Sequence, residues 1–146
     1  MLEESLYFMI VANRWQDDDM WPALRENFFK DAPFFVTKFL APLLRRNVVK
    51  MVYGQGAGRF SSEERLEQAD KDVQAVEDLL GDKPFLFGAS PTAADATAVA
   101  MLRALAFFPV DNQMSDLVLR RPKLVNYVAR GKDAMFPTVE MLKRAA

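Results

Sequence analysis

A chain of 146 residues, 51% hydrophobic and 27% charged, has the makeup of one ordinary globular domain, able to bury a core without disulfides or a structural metal. Its 19 basic and 20 acidic residues leave a net charge of −1, so bulk charge exerts no general pull toward nucleic acid or an anionic membrane. The lack of both Cys and His excludes thiol nucleophiles, imidazole bases, His-dependent triads and Cys/His metal sites, which leaves carboxylates, Lys, Arg, Tyr and hydroxyls for any chemistry.

The N-terminus carries acids at Glu3 and Glu4 and no basic region or small-residue cleavage site, so it does not read as a signal peptide and a cytoplasmic location is expected. Leu2, Leu6, Met9, Ile10 and Asn13 line one helical face, widened by Phe8, Val11 and Ala12, which predicts a helix over Leu2–Trp15. No capping residue precedes it, as if an upstream segment were missing. Asp17, Asp18 and Asp19 then break the pattern. Adjacent acids point apart, and neither an EF-hand glycine nor a terminal Glu follows, so a solvated turn is expected rather than a metal site.

Pro22 suits the first turn of a short helix running to about Lys30. From Val36 the apolar positions Leu40, Leu43, Leu44, Val48, Met51 and Val52 fit a helix kinked or restarted at Pro42 and ending near Tyr53. Arg45, Arg46 and Lys50 fall on its polar face and read as solvated. The following GQGAGRF has no Gly-Lys-Ser/Thr and no strand before it, so it is a tight interhelix turn rather than a phosphate loop. Its glycines are expected to supply positive φ, with Arg59 at the lip of a cleft.

Ser61 and Glu64 form a capping box, and Leu66, Ala69, Val73, Val76 and Leu80 then repeat at helical spacing until Gly81. Pro84–Phe107 is the stretch around which the chain is organised. Thr92 and Asp95 form a second box, worth about 1–2 kcal/mol as cap and dipole partner. Beyond it the run to Phe107 is apolar all round, with Arg103 the only charge, and it is shorter than the roughly 20 apolar residues of a membrane span. It is expected to be a column surrounded by other helices. Pro109 closes it, and a short helix is predicted for Asn112–Leu119. Pro122 opens another with Leu124, Tyr127 and Val128 inward, stopping at Gly131, and a last turn is expected after Pro137. No segment has a period of two, so the fold class is all-α.

These motifs resemble the C-terminal helical domain of the glutathione transferase superfamily, in which an [ST]-x-x-D box with an adjoining staple starts the central buried helix. Thr92 and Asp95 match the box, while Pro91 and Ala96 at the staple positions are small. ESLYF near Glu4, NRW ending at Trp15, QGAGRFSSEE from Gln55 and LLGDKPFLFGASPTAADAT from Leu79 are similar to the metaxin and failed axon connections branch. The resemblance runs from about Leu2 to Pro137. It implies a single helical domain over residues 1–146, without the thioredoxin-like domain that carries the catalytic Tyr, Ser or Cys in that superfamily. No catalytic residue, metal or cofactor is therefore expected in this chain, and glutathione is implied only for a full-length form. Tyr7, Phe8, Val11, Arg14 and Trp15 are implied as walls of a cleft for the second substrate, with packing or plain surface as the alternative role of each. The implied activities are a transferase-like protein that does not conjugate alone, a metaxin-type interaction domain, or a carrier of a hydrophobic small molecule. Implied partners are a second copy or the missing thioredoxin-like domain, with neither nucleic acid nor a membrane span.

Overall fold

The computed structural model describes residues 2–109 and 112–136, and every regular element within them is helical. A wide π-type turn at Leu2–Leu6 leads into α1 (Tyr7–Gln16), and α2 (Trp21–Phe29) follows with Pro22 in its first turn. A second π-type turn, Val36–Leu40, runs into α3 (Ala41–Gln55), so the expected restart at Pro42 is a widened turn that leaves the proline in the first turn of α3, where a missing N–H is tolerated. Then come α4 (Ser62–Leu80), α5 (Ala93–Ala106), α6 (Gln113–Leu119) and α7 (Pro122–Met135). The turn expected after Pro137 lies outside the described residues. No helix among the described residues is long and apolar enough to cross a membrane.

Of the glycines between α3 and α4 only Gly56 has positive φ, at 120°; Gly54 continues α3, and Gly58 lets the turn pass close to the Tyr53 backbone. The Ser61–Glu64 box closes in both directions: Glu64 N–H donates to Ser61 Oγ at 3.2 Å, and Ser61 N–H donates to the Glu64 carboxylate at 2.8 Å.

The column is α5. Ala98, Val99, Leu102, Leu105 and Ala106 are buried against α6, α7 and the start of the chain, sharing one core with Leu6, Ile10, Val73, Val76, Leu124 and Val128. It is not surrounded on every side, because Ala93, Ala100 and Ala104 are exposed. A stripe of single methyl groups offers too little apolar area to demand a cover.

Asp95 is fully buried, and its carboxylate gathers three separate segments. Oδ2 accepts from Thr92 N–H at 2.8 Å and from the Thr92 hydroxyl at 2.7 Å; Oδ1 accepts from Leu86 N–H at 2.8 Å and from the Tyr127 hydroxyl at 2.9 Å. The Phe85–Gly88 turn, closed by a pair of backbone hydrogen bonds, presents that Leu86 N–H. Burial alone would push the Asp95 carboxyl up, but the donors from Leu86, Thr92 and Tyr127 outweigh it and hold the group below its ordinary value. Burial and the same hydrogen bond push the Tyr127 hydroxyl up, so it stays a donor at every physiological pH.

Gly131 does not stop α7, which continues to Met135. It is buried where α7 crosses α5: a Cβ added there would lie 2.4 Å from Val99 Cγ2. The glycine sets how closely the two helices approach.

Removing the carboxylate in Asp95→Ala strands the buried Leu86 N–H and Tyr127 hydroxyl as well as the Thr92 donors, and is expected to cost on the order of 3 kcal/mol or more, above the ~1 kcal/mol of a cap alone, read as a lower urea midpoint. Because the folded pKa of Asp95 is depressed, its contribution is complete above the unfolded value of about 3.9 and is lost as pH falls through the folded value. Tyr127→Phe, which removes one donor, should move the acid unfolding midpoint to higher pH. Gly131→Ala is expected to destabilise by about 1–3 kcal/mol, since Val99 is β-branched and has little rotamer freedom in a helix; combining it with Val99→Ala should recover part of that loss in the same melt.

Candidate functional site

The side chains of α1 separate by face. Phe8 and Val11 are half-buried against the main core, and Tyr7 is exposed, packed edge-on against the Phe8 ring at 5.1 Å. Arg14 reaches the far end of the column, where its guanidinium donates to the Ala104 carbonyl and lies 4.2 Å above the Phe108 ring. Trp15 packs with Met20, Trp21, Leu24 and Phe108 in a second, smaller core. Arg59 lies elsewhere, donating to the Tyr53 carbonyl at 3.0 Å with its guanidinium over the Tyr53 ring.

A cleft of about 600 Å³ opens between the C-terminal ends of α1, α2 and α5. Phe28, Phe107 and Phe108 supply its apolar lining, Arg14, Lys30 and Arg103 its charges, and no acid among the described residues lines it. Burial lowers the Arg14 guanidinium to about 10, which leaves it cationic at neutral pH. Of the residues expected at a cleft, only Arg14 lines this one. Trp15 backs it, its ring 6.3 Å from Phe28. Phe28, Lys30, Phe107 and Phe108 were not among the sequence candidates. The available sequence signals were the lone Arg103 in an apolar column and the Phe-Phe-Lys ending of α2, neither of which shows that the two meet.

Charged side chains at the end of α1 hold Arg14 and Trp15 in place. Asp17, expected in a solvated turn, pairs with the buried Arg65 of α4. It also accepts from Asn13 Nδ2 at 3.0 Å, and Arg65 donates to the Phe60 carbonyl at 2.7 Å. Arg45, expected on a solvated face, turns inward: Nε donates to the Trp15 carbonyl at 2.8 Å, and Nη2 to the Gln16 carbonyl at 2.9 Å and to Asp18 at 2.7 Å. The last carbonyls of α1 are thus capped by an arginine from α3. No group of three or more acids among the described residues is placed to hold a metal ion.

Residues 69–131 match the family model described as "Glutathione S-transferase, C-terminal domain". The chain is 34% identical over 134 residues to the isoprene-epoxide–glutathione S-transferase of Rhodococcus sp. (strain AD45), covering 89% of this chain and 56% of that protein. It is 33% identical over 94 residues to Failed axon connections of Drosophila melanogaster, covering 60% of this chain and 22% of that protein. The chain therefore spans about half the length of the first relative and less of the second. No solved structure matches it.

Asp17→Ala leaves the Arg65 guanidinium buried without its counter-charge and is expected to cost about 3–5 kcal/mol in chemical denaturation. Replacing the pair together, as Asp17→Leu with Arg65→Met, should cost clearly less than the single change. Losses of Asp17→Leu and Arg65→Met that simply add in the paired variant would show that the pair is not coupled.

Proposed function

Starting from a helical domain of the glutathione S-transferase C-terminal family, we propose that this chain supplies the helical wall of a transferase-type site. It holds a small apolar ligand in the Arg14 cleft and by itself conjugates nothing to glutathione. The observation that carries this is the lining of the cleft: among the described residues it consists of aromatic rings, cations and the Asn27 amide, with no hydroxyl, thiol or acid. Rings favour an apolar body, and a guanidinium or ammonium at the rim can hydrogen-bond an oxygen of that ligand. The Rhodococcus relative is named for an isoprene epoxide, and a small apolar epoxide has the size and the single acceptor oxygen that suit this lining.

The cleft does not by itself fit glutathione. The tripeptide carries an ammonium as well as carboxylates, and among the described residues no acid lines the cleft to receive it. No residue of the lining could serve as a nucleophile-activating hydroxyl. Glutathione and its chemistry belong, in this reading, to a thioredoxin-like domain of a longer form, with which the helical domain pairs in a cytoplasmic transferase or dimer.

With this 146-residue protein, conjugation of chlorodinitrobenzene to glutathione is expected to run at the uncatalysed rate, and a clear excess over that rate would sink the proposal. Styrene oxide, as a small aryl epoxide, should quench tryptophan emission, because Trp15 and Trp21 lie within 5.8 Å of each other and Trp15 adjoins Phe28. Phe28→Ala is expected to raise its Kd about tenfold through loss of ring contact, while Arg59→Ala leaves it unchanged. Equal effects of the two substitutions would place the ligand elsewhere.

A further inference from the structure

Between Pro33 and Gln55 the chain turns an apolar face to solvent. Phe34, Phe35, Phe39, Leu40, Leu43 and Met51 are each between 49% and 76% exposed, and nothing else among the described residues covers them. Apolar exposure on this scale, collected in one segment, marks a surface that is covered in use.

The charges of the same segment have one sign. Between Ala32 and Ser62 the chain contains Lys38, Arg45, Arg46, Lys50 and Arg59 and no Asp or Glu. Arg45 is committed to the end of α1 and Arg59 to the Tyr53 carbonyl, while Lys38, Arg46 and Lys50 are exposed and make no ion pair among the described residues. These cations lie among the apolar side chains rather than apart from them. The Lys38 ammonium is 5.4 Å from the Phe34 ring and 5.7 Å from the Phe39 ring, and Leu43, Arg46, Asn47, Lys50 and Tyr53 border one surface hollow. Glu26 of α2, which borders a neighbouring hollow with Phe34, and the exposed Asp31, just before the segment, are acids at the edge of the strip.

We propose that this strip, from Phe34 to Met51, docks on an anionic lipid surface, its rings and leucines entering the boundary between headgroups and acyl chains and its cations meeting lipid phosphates and carboxylates. Charge selects the occupant. Two copies meeting through the same strip would bring Lys38, Arg46 and Lys50 against their own kind. The interleaving separates lipid from protein. Lysine is depleted from the buried centre of protein interfaces, whereas at a membrane its stem lies along the apolar layer while its ammonium stays in the headgroups. Clustered cations on an amphipathic segment add attraction to an anionic leaflet even in a chain whose net charge is near zero.

Flotation of the full 146-residue chain with vesicles tests this. Vesicles of phosphatidylcholine with phosphatidylserine should bind it and vesicles of phosphatidylcholine alone should not, and binding should fall at least about tenfold when salt is raised to about 0.5 M. Arg46→Glu with Lys50→Glu, and separately Phe34→Ser with Phe39→Ser, should each lower partitioning at least about tenfold. All four positions are exposed, so both variants should keep the parent's helical circular dichroism and thermal midpoint. Equal binding to both vesicle types, or none to either, overturns the proposal. So does a dimer in light scattering that Phe34→Ser with Phe39→Ser converts to monomer in the absence of vesicle binding, which would make a second copy the occupant. Capture of a polyglutamate peptide without vesicle binding would likewise overturn it, in favour of an acidic protein.

Discussion

The fold depends on one buried carboxylate. Asp95 starts the central helix, fixes the Phe85–Gly88 turn through Leu86 N–H and holds α7 through the Tyr127 hydroxyl, all from a position with no solvent access. A buried charge is tolerable only when its lone pairs are filled by hydrogen bonds. The approach loop, the column and the last described helix must therefore arrive together. A capping box at a surface helix would secure one end of one element; here the same few atoms fix the relative placement of three.

A similar economy governs the other end of α1. Three consecutive acids would ordinarily be solvated, yet Asp17 becomes the counter-charge of the buried Arg65, and Asp18 receives Arg45, which also caps α1. Paired burial keeps the desolvation of each charge bearable while making the pair intolerant of losing either member. These contacts set the direction of the last turn of α1, and with it the positions of Arg14 and Trp15 beside the cleft.

Inside and outside are not divided as hydropathy alone would place them. The all-apolar column leaves an alanine stripe in solvent, whereas α4 buries an arginine and an aspartate, Arg65 and Asp72, on its inward face. Most of the large exposed apolar side chains among the described residues belong to the segment around α3, which also holds a run of cations without acids. A net charge of −1 says nothing about such a strip, because the balancing acids lie in other segments.

Periodicity and local capping chemistry carry much of this protein in the sequence. Helical spacing marked the course of α4, the Ser61 and Thr92 boxes marked the starts of α4 and α5, and the motifs around them identified the helical domain of the glutathione S-transferase type, because all of these depend on residues within a few positions of one another. What depends on residues far apart in the chain was decided only by the tertiary structure. Gly131 reads as a helix stop until Val99 is seen against it; Arg45 reads as solvated until the end of α1 lies beside it; Phe28, Lys30, Phe107 and Phe108 belong to no shared motif until α2 and α5 meet. A cap is a bond between neighbours and is written in their spacing, whereas a cleft, a buried ion pair or a close helix crossing exists only once separate helices have been packed together.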